Sequence, residues 1–151
     1  MSGFLTSAVA FIVAIGILVA VHEYGHFWVA RRLGIRVLRF SIGFGRPIWS
    51  RLGRDGVEYV ISALPLGGYV KLLDEREGPV PDDQLDQAFN RQSPWRRIAV
   101  LVAGPLFNFL FAIVAYWAMF AVGVPAVRAV LGDPAPASAA ADAGIRSGDR
   151  I

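Results

Sequence analysis

The sequence has no cysteine, and charged residues are missing from two long stretches. Without cysteine no disulfide can form and no thiolate can bind a metal, and cysteine usage gives no clue to the redox compartment. Residues 4–21 and 98–127 contain no Asp, Glu, Lys or Arg. Each stretch reaches the ~18–20 apolar residues that cross about 30 Å of hydrocarbon. With 55% hydrophobic residues and a mean hydropathy of +0.49, the composition indicates a membrane protein.

Basic residues are absent before the first apolar stretch, which disfavours a secretory signal peptide, because such peptides begin with a positively charged region. Twelve of the fifteen Lys and Arg residues instead lie between Arg31 and Arg97. Since basic loops stay in the cytosol, this distribution places the segment 31–97 there and both termini on the opposite side. Eight carboxylates are interleaved in the same loop, so no nucleic-acid partner is expected despite a net charge of +3.

Histidine is scarce, and both histidines fall in one motif, HEYGH at residues 22–26. On a helix this spacing puts two imidazoles one turn apart, where His22 and His26 can bind Zn2+ and Glu23 can act as general base. The motif lies ~27 Å along the helix from Phe4, within the membrane but near the cytosolic face. Inserting a Glu there costs roughly 2.5–3.5 kcal/mol, which disfavours a chance match and indicates hydrolysis at or within the membrane.

Catalytic zinc usually has three protein ligands, and the sequence does not identify the third. Asp55 and Glu58 are candidates by charge alone, but exposed carboxylates are common and these two lie in the basic loop. Two histidines should bind zinc weakly, so the chain by itself is expected to be inactive or nearly so. Gly25, at a variable position of the motif, is expected to allow close approach of a neighbouring helix or of substrate.

Two transmembrane helices are predicted, at 1–33 and 95–123. Within the second, Pro105 indicates a packing kink and Asn108 indicates an interhelical hydrogen bond. The loop 34–94 alternates like a small sheet lying on the membrane surface. Its predicted parts are strands at 36–42, 48–52 and 57–62, a turn at 43–47, a hairpin turn at 53–56, a glycine bend within 64–71 and an irregular surface loop at 74–94.

Taken in order, these segments resemble the site-2 protease family of intramembrane zinc metalloproteases, and within it the bacterial members that release a stress sigma factor. The resemblance covers essentially the whole chain. The matching segments are HEYGH at 22–26, FSIGFG at 40–45, EYV at 58–60, LPLGGYVK at 64–71, FN at 89–90, GPLFNF at 104–109, GVP at 123–125, AGI at 143–145 and GDRI at 148–151.

The resemblance implies a membrane protein that is mainly α-helical with a small membrane-associated β segment, in which two transmembrane helices precede the start of a PDZ domain at 124–151. It implies that His22 and His26 bind zinc, that Glu23 is the catalytic base, and that an Asp beyond Ile151 is the third ligand. The β segment would hold substrate in extended form beside the metal. The residues expected to bind substrate are Gly43, Phe44, Gly45, Gly67, Gly68 and Asn108.

The implied substrate is a single-span membrane protein, such as an anti-sigma factor already trimmed on its periplasmic side. The implied location is the bacterial inner membrane, with the N-terminus and the PDZ side periplasmic and the PDZ domains acting as a size filter. Two other function classes remain. A non-catalytic membrane-embedded peptide-binding scaffold would be unaffected by Glu23→Gln, and a zinc transporter would need more polar groups along both helices. A soluble zinc protease is disfavoured by the two apolar stretches.

Overall fold

A computed structural model of the chain describes residues 2–123, 130–136 and 138–150. The chain falls into two compact units, Met1–Ala115 and Tyr116–Ile151. Its elements, in chain order, are α1 (Ser2–Arg32), β1 (Val37–Leu52), β2 (Glu58–Leu72), two 3-10 helices (Asp82–Gln87 and Phe89–Arg91), α2 (Pro94–Val122) and α3 (Ala139–Asp142).

Helices α1 and α2 are both long and apolar enough to cross a membrane. Large apolar side chains are exposed along both of them, among them Phe4 and Phe11 on α1 and Phe109 and Trp117 on α2. Such continuous apolar surface is stable against lipid rather than water, and a helix satisfies its own backbone hydrogen bonds there. Two helices therefore lie within a few residues of the predicted bounds, and both could span a membrane.

The loop between the helices is built around one long antiparallel hairpin, β1 with β2. The connecting turn lies where the Asp-Gly pair predicted it. The backbone N–H of Gly53 donates to the carbonyl of Val57 at 2.8 Å, and that of Gly56 donates to Gly53 at 3.1 Å. Gly56 has φ +76°, a left-handed conformation that glycine adopts without a steric penalty.

The hairpin folds over on itself, which corrects the prediction of three short strands. Residues 39–42 of β1 lie opposite 68–71 of β2 on one side and opposite 58–61 on the other, while 49–52 pair with 58–61. The predicted turn at 43–47 and the predicted bend in 64–71 are thus not breaks between strands. Each is an irregular stretch of a continuous strand, because bulged residues bend a ladder without ending it.

A small core joins the hairpin to the last turns of α1. The ring of Phe27 lies 5.3 Å from Phe40 of β1 and 6.1 Å from Tyr59 of β2, both in edge-to-face contact. Such aromatic contacts stabilise beyond the area they bury, by ~0.5–1.5 kcal/mol per pair. The buried members of this core are Phe27, Ala30, Ile35, Val37, Val57 and Val100.

The predicted irregular loop at 74–94 contains the two 3-10 helices and is tethered to the sheet. Leu73 donates its backbone N–H to Arg36 at 2.9 Å, and Phe89 donates to Leu73 at 2.7 Å. The backbone N–H of Arg36 in turn donates to Gln87 at 3.1 Å. These bonds make the loop part of the sheet's surroundings rather than a free surface segment.

The second unit holds, beyond the end of α2, a bridge between Val130 and Arg150 and the single-turn helix α3. Ser138 caps α3, its hydroxyl accepting from the backbone N–H of Ala141 at 3.3 Å. The predicted start of the PDZ domain falls partly on residues 124–129, 137 and 151, which lie outside the described residues. The PDZ assignment stays a prediction.

Candidate metal centre

Helix α1 presents its two histidines side by side on one face. The Nε2 atoms of His22 and His26 are 3.2 Å apart, and the rings meet edge to face with centroids 4.8 Å apart. Zinc–nitrogen bonds of about 2.0–2.1 Å at tetrahedral angles would hold two ligand nitrogens about 3.3 Å apart. The two nitrogens therefore already have the separation of one edge of a zinc tetrahedron.

The backbone of α2 fixes which nitrogen of His26 carries the proton. Nδ1 of His26 lies 2.7 Å from the carbonyl oxygen of Val100. A carbonyl oxygen can only accept, so Nδ1 is the donor and neutral His26 has a free lone pair on Nε2. This is the arrangement in which metal-binding histidines are usually held, with the second ring nitrogen donating to a carbonyl or carboxylate.

Glycine residues let the two helices meet at this point. A side chain at Gly25 would press on the Ala103 carbonyl oxygen at 2.6 Å and on Cβ of Phe107 at 3.0 Å. The prediction that Gly25 permits close approach of a neighbouring helix is confirmed. A Cβ at Gly104 would overlap Nε2 of His26 and lie 2.7 Å from Nε2 of His22, so glycine keeps the space beside both nitrogens open. His22 and His26 thus fit two of the ligand positions of the predicted zinc ion.

Within the described ranges, no group of three or more His, Cys, Asp and Glu residues is placed to hold a metal. The two carboxylates considered from charge alone are engaged elsewhere. Glu58 forms an ion pair with Arg39 at 2.7 Å, and Asp55 forms one with Arg31. Burial favours a raised pKa for the Asp55 carboxyl, but hydrogen bonds from Tyr59, a backbone amide and Arg31 hold this pKa below its ordinary value. Both carboxylates stabilise the hairpin.

Strand β2 runs directly beside Glu23. A Cβ at Gly68 would lie 2.7 Å from Cγ of Glu23 and 2.6 Å from the carbonyl oxygen of Ser41. Only glycine at 68 allows the strand to approach the helix this closely. A cavity of about 260 Å³ opens next to the same side chains, and its lining residues are Ile15, Leu18, Val19, His22, Glu23 and Asn108.

The remaining residues predicted to bind substrate lie where the hairpin bends. The Phe44 ring covers Gly67, where any Cβ would overlap it, and stacks on Tyr69 with centroids 6.3 Å apart. Gly43 and Gly45 have φ of +88° and +85°, which bends β1. The structure therefore brings Gly68 against Glu23, places Gly67 against Phe44 and gives 43–45 a role in the bend, while substrate contact by these residues stays a prediction.

Asn108 of α2 forms the interhelical hydrogen bond that the sequence predicted. Its Nδ2 lies 3.3 Å from Nδ1 of His22, so the amide is paired with a predicted zinc ligand. Its Oδ1 is buried and has no hydrogen-bond partner. The side chain predicted to bind substrate thus also contacts His22.

Sequence reasoning missed Val100 and Gly104. Val100 acts through its backbone carbonyl, a group that every residue has, so its residue type does not predict this contact. Gly104 had a readable signal, since small residues in apolar helices mark close helix contacts, and here a glycine stands four residues before the polar Asn108. That spacing puts Gly104 and Asn108 on one face of α2, the face that contacts His22.

Comparison with known proteins connects this geometry to a family. The model of peptidase family M50 matches residues 10–143. The chain is 59% identical over 148 residues to a Yersinia pestis protein named Protease RseP, and 54% identical over 151 residues to the regulator of sigma-E protease RseP of Escherichia coli. These matches cover 98% and 100% of this chain but 33% and 34% of the relatives. The chain spans about a third of the length of these relatives.

Proposed function

This chain belongs to peptidase family M50, and we propose that it forms part of an intramembrane zinc metalloendopeptidase of the site-2 protease type. The single observation that carries the proposal is the pair of Nε2 atoms 3.2 Å apart, with Glu23 beside them, inside a helix able to span a membrane. The proposed substrates are single-span membrane proteins such as anti-sigma factors. The names of two relatives denote proteases that regulate sigma-E, and an anti-sigma factor as substrate is consistent with such a role.

The proposed chemistry divides among three side chains. A bound zinc ion supplies Lewis acidity and a water nucleophile that is active near neutral pH. His22 and His26 hold the ion through Nε2, and an Asp beyond Ile151 is the proposed third ligand. Glu23 takes the proton of the attacking water and delivers it to the leaving amine, the general acid–base role of a positioned carboxylate.

Substrate would bind along the hairpin. A helical substrate hides its amide bonds, whereas pairing with a sheet edge exposes one strand in extended form. Within the described ranges the sheet contains only β1 and β2, and the 68–71 stretch of β2 is paired with β1. Gly68 in this stretch lies against Glu23, so a segment paired with its other edge would run close to the candidate metal centre.

The proposed setting is the bacterial inner membrane, with the hairpin and loop 31–97 in the cytosol. The N-terminus and a PDZ domain beginning near residue 124 would be periplasmic. The distribution of basic residues supports this orientation, because short loops rich in Lys and Arg remain cytosolic.

The decisive experiment is cleavage of a tagged single-span substrate in membranes by the protein at the full length its gene encodes, comparing wild type with Glu23→Gln. Loss of cleavage by the inserted variant, with zinc content unchanged, is the expected result. Equal cleavage by both forms would refute catalysis by Glu23. Cleavage by neither form above the level in membranes without the protein would leave a peptide-binding scaffold as the better description. Phe109→Leu, an exposed position on α2, is the control for general disturbance of a helix.

A further inference from the structure

The hydrogen bonds around His22 and His26 form a chain in which each ring has a defined partner at both nitrogens. Val100 accepts from Nδ1 of His26, the two Nε2 atoms face each other at 3.2 Å, and Nδ1 of His22 faces Asn108 at 3.3 Å. Neutral imidazole carries one N–H proton, so fixing the proton position at one end of this series of hydrogen bonds restricts the proton positions along the rest of it.

With Asn108 oriented so that Nδ2 donates to Nδ1 of His22, this series of hydrogen bonds is complete without a metal. Nδ1 of His22 then accepts, its proton lies on Nε2, and Nε2–H donates to the free lone pair of His26. In this arrangement neither Nε2 can bind an ion, because one carries a proton and the other accepts it.

Metal binding requires the opposite tautomer of His22. Both Nε2 atoms must then present lone pairs, which places the His22 proton on Nδ1, and an Nδ1–H cannot face an NH2 group without repulsion. Rotating the Asn108 amide by half a turn brings Oδ1, which now has no partner, to Nδ1–H of His22. The two ends of an amide are nearly equal in shape, so this rotation needs no repacking.

We propose that Asn108 is the positioning residue that selects the metal-binding tautomer of His22, by presenting Oδ1 to its Nδ1–H. The inference rests on the proposed function, since it concerns the zinc ligands. It assigns Asn108 a role that acts through His22 and leaves substrate contact aside. Partners of this kind typically change metal affinity by about 10–100-fold when they are removed.

The test is zinc affinity, measured by competition with a chromophoric chelator on the full-length protein in detergent. Asn108→Leu removes the acceptor at similar size, Asn108→Asp keeps an acceptor oxygen but loses the NH2 group, and Phe109→Leu is the control on the same helix. We expect Asn108→Leu to bind zinc about 10–100-fold more weakly, while Asn108→Asp and Phe109→Leu bind as tightly as wild type or more tightly.

Wild-type affinity in Asn108→Leu would overturn the inference. An equal loss in both Asn108 variants would also overturn it, because it would show that the NH2 group, not the oxygen, matters. If Asn108→Leu were poorly inserted, the Asn108→Asp result alone still decides between oxygen and NH2 group. Failure of the wild type to bind zinc would instead refute the proposed function itself, so the two failures are distinguishable.

Discussion

One hydrogen atom in place of a methyl group keeps the candidate metal centre open at Gly104. We predict that Gly104→Ala weakens zinc binding by at least about 10-fold, because the added Cβ would overlap Nε2 of His26 and lie 2.7 Å from Nε2 of His22. Zinc content of the purified protein measures the effect. Gly16→Ala on α1 is the matched control, since a Cβ there meets no atom within 4 Å. Equal zinc content in both variants would contradict the prediction.

A substitution at Gly68 should affect catalysis rather than zinc binding, because Gly68 lies against Glu23, the candidate general base, and not against a zinc ligand. We predict that Gly68→Ala lowers kcat about 100-fold while zinc content stays normal, since the added Cβ displaces Glu23 and its nearest neighbours include neither histidine. Gly78→Ala, where a Cβ again meets nothing within 4 Å, should behave as wild type. Loss of zinc in Gly68→Ala would show that the strand supports the ligands as well.

The side chains that chemistry requires were readable from the sequence, and those that position them were not. The spacing of HExxH announces His22, Glu23 and His26, because the residue types themselves carry the chemistry. Val100 contributes a backbone carbonyl, and Gly104 leaves space beside the histidines because it has no side chain. Both become visible only when α1 and α2 are placed against each other, which a single sequence does not specify.

Among the connecting elements, the loop after β2 is held by one carboxylate in addition to its backbone hydrogen bonds. Hydrogen bonds from Arg91 at 2.8 and 2.9 Å, and from Asn90 at 2.7 Å, hold the pKa of the Glu75 carboxyl below its ordinary value. A depressed folded-state pKa means that this stabilisation is complete above the unfolded-state pKa and is lost as the pH falls through the folded-state value.

We therefore predict that acidification loosens the segment 73–92 before it affects the helices. Hydrogen exchange of peptides from this segment, corrected for the intrinsic pH dependence, should rise as the pH falls below the ordinary range of a Glu carboxyl. Glu75→Gln should already exchange faster at neutral pH and should lose the added acid sensitivity. A pH profile shared by wild type and variant would show that another group controls the loop.

Local pattern found the hairpin turn but misjudged how long the strands are. The Asp-Gly signal is local, and the turn at 53–56 formed where it was expected. The stretches at 43–47 and 64–67 carry glycine and proline, which normally end strands, yet here the ladder continues through them. The length of the strands is decided by pairing between residues far apart in sequence, since 39–42 lie beside both 58–61 and 68–71.

For the molecule in its membrane, charge distribution predicts orientation. With any cysteine outside 1–151 replaced, a single thiol at Arg54→Cys, in the exposed hairpin turn, should react with an impermeant maleimide only from the cytosolic side. Ala135→Cys, exposed in the second unit, should react only from the periplasmic side. Reversed labelling would overturn the proposed orientation without affecting the metal centre.

Besides the aromatic contacts of Phe27, two contacts anchor the folded hairpin on α1: Gly68 meets Glu23, and Asp55 pairs with Arg31. Between these anchors, side chains alternate between the two faces of the sheet, so adding or deleting one residue would exchange the faces of everything that follows. The residue types between 56 and 67 can therefore vary in evolution more freely than the number of residues in that segment. Inherited insertions in this lineage should collect elsewhere, in the loop after β2, where a change of length leaves Gly68 against Glu23.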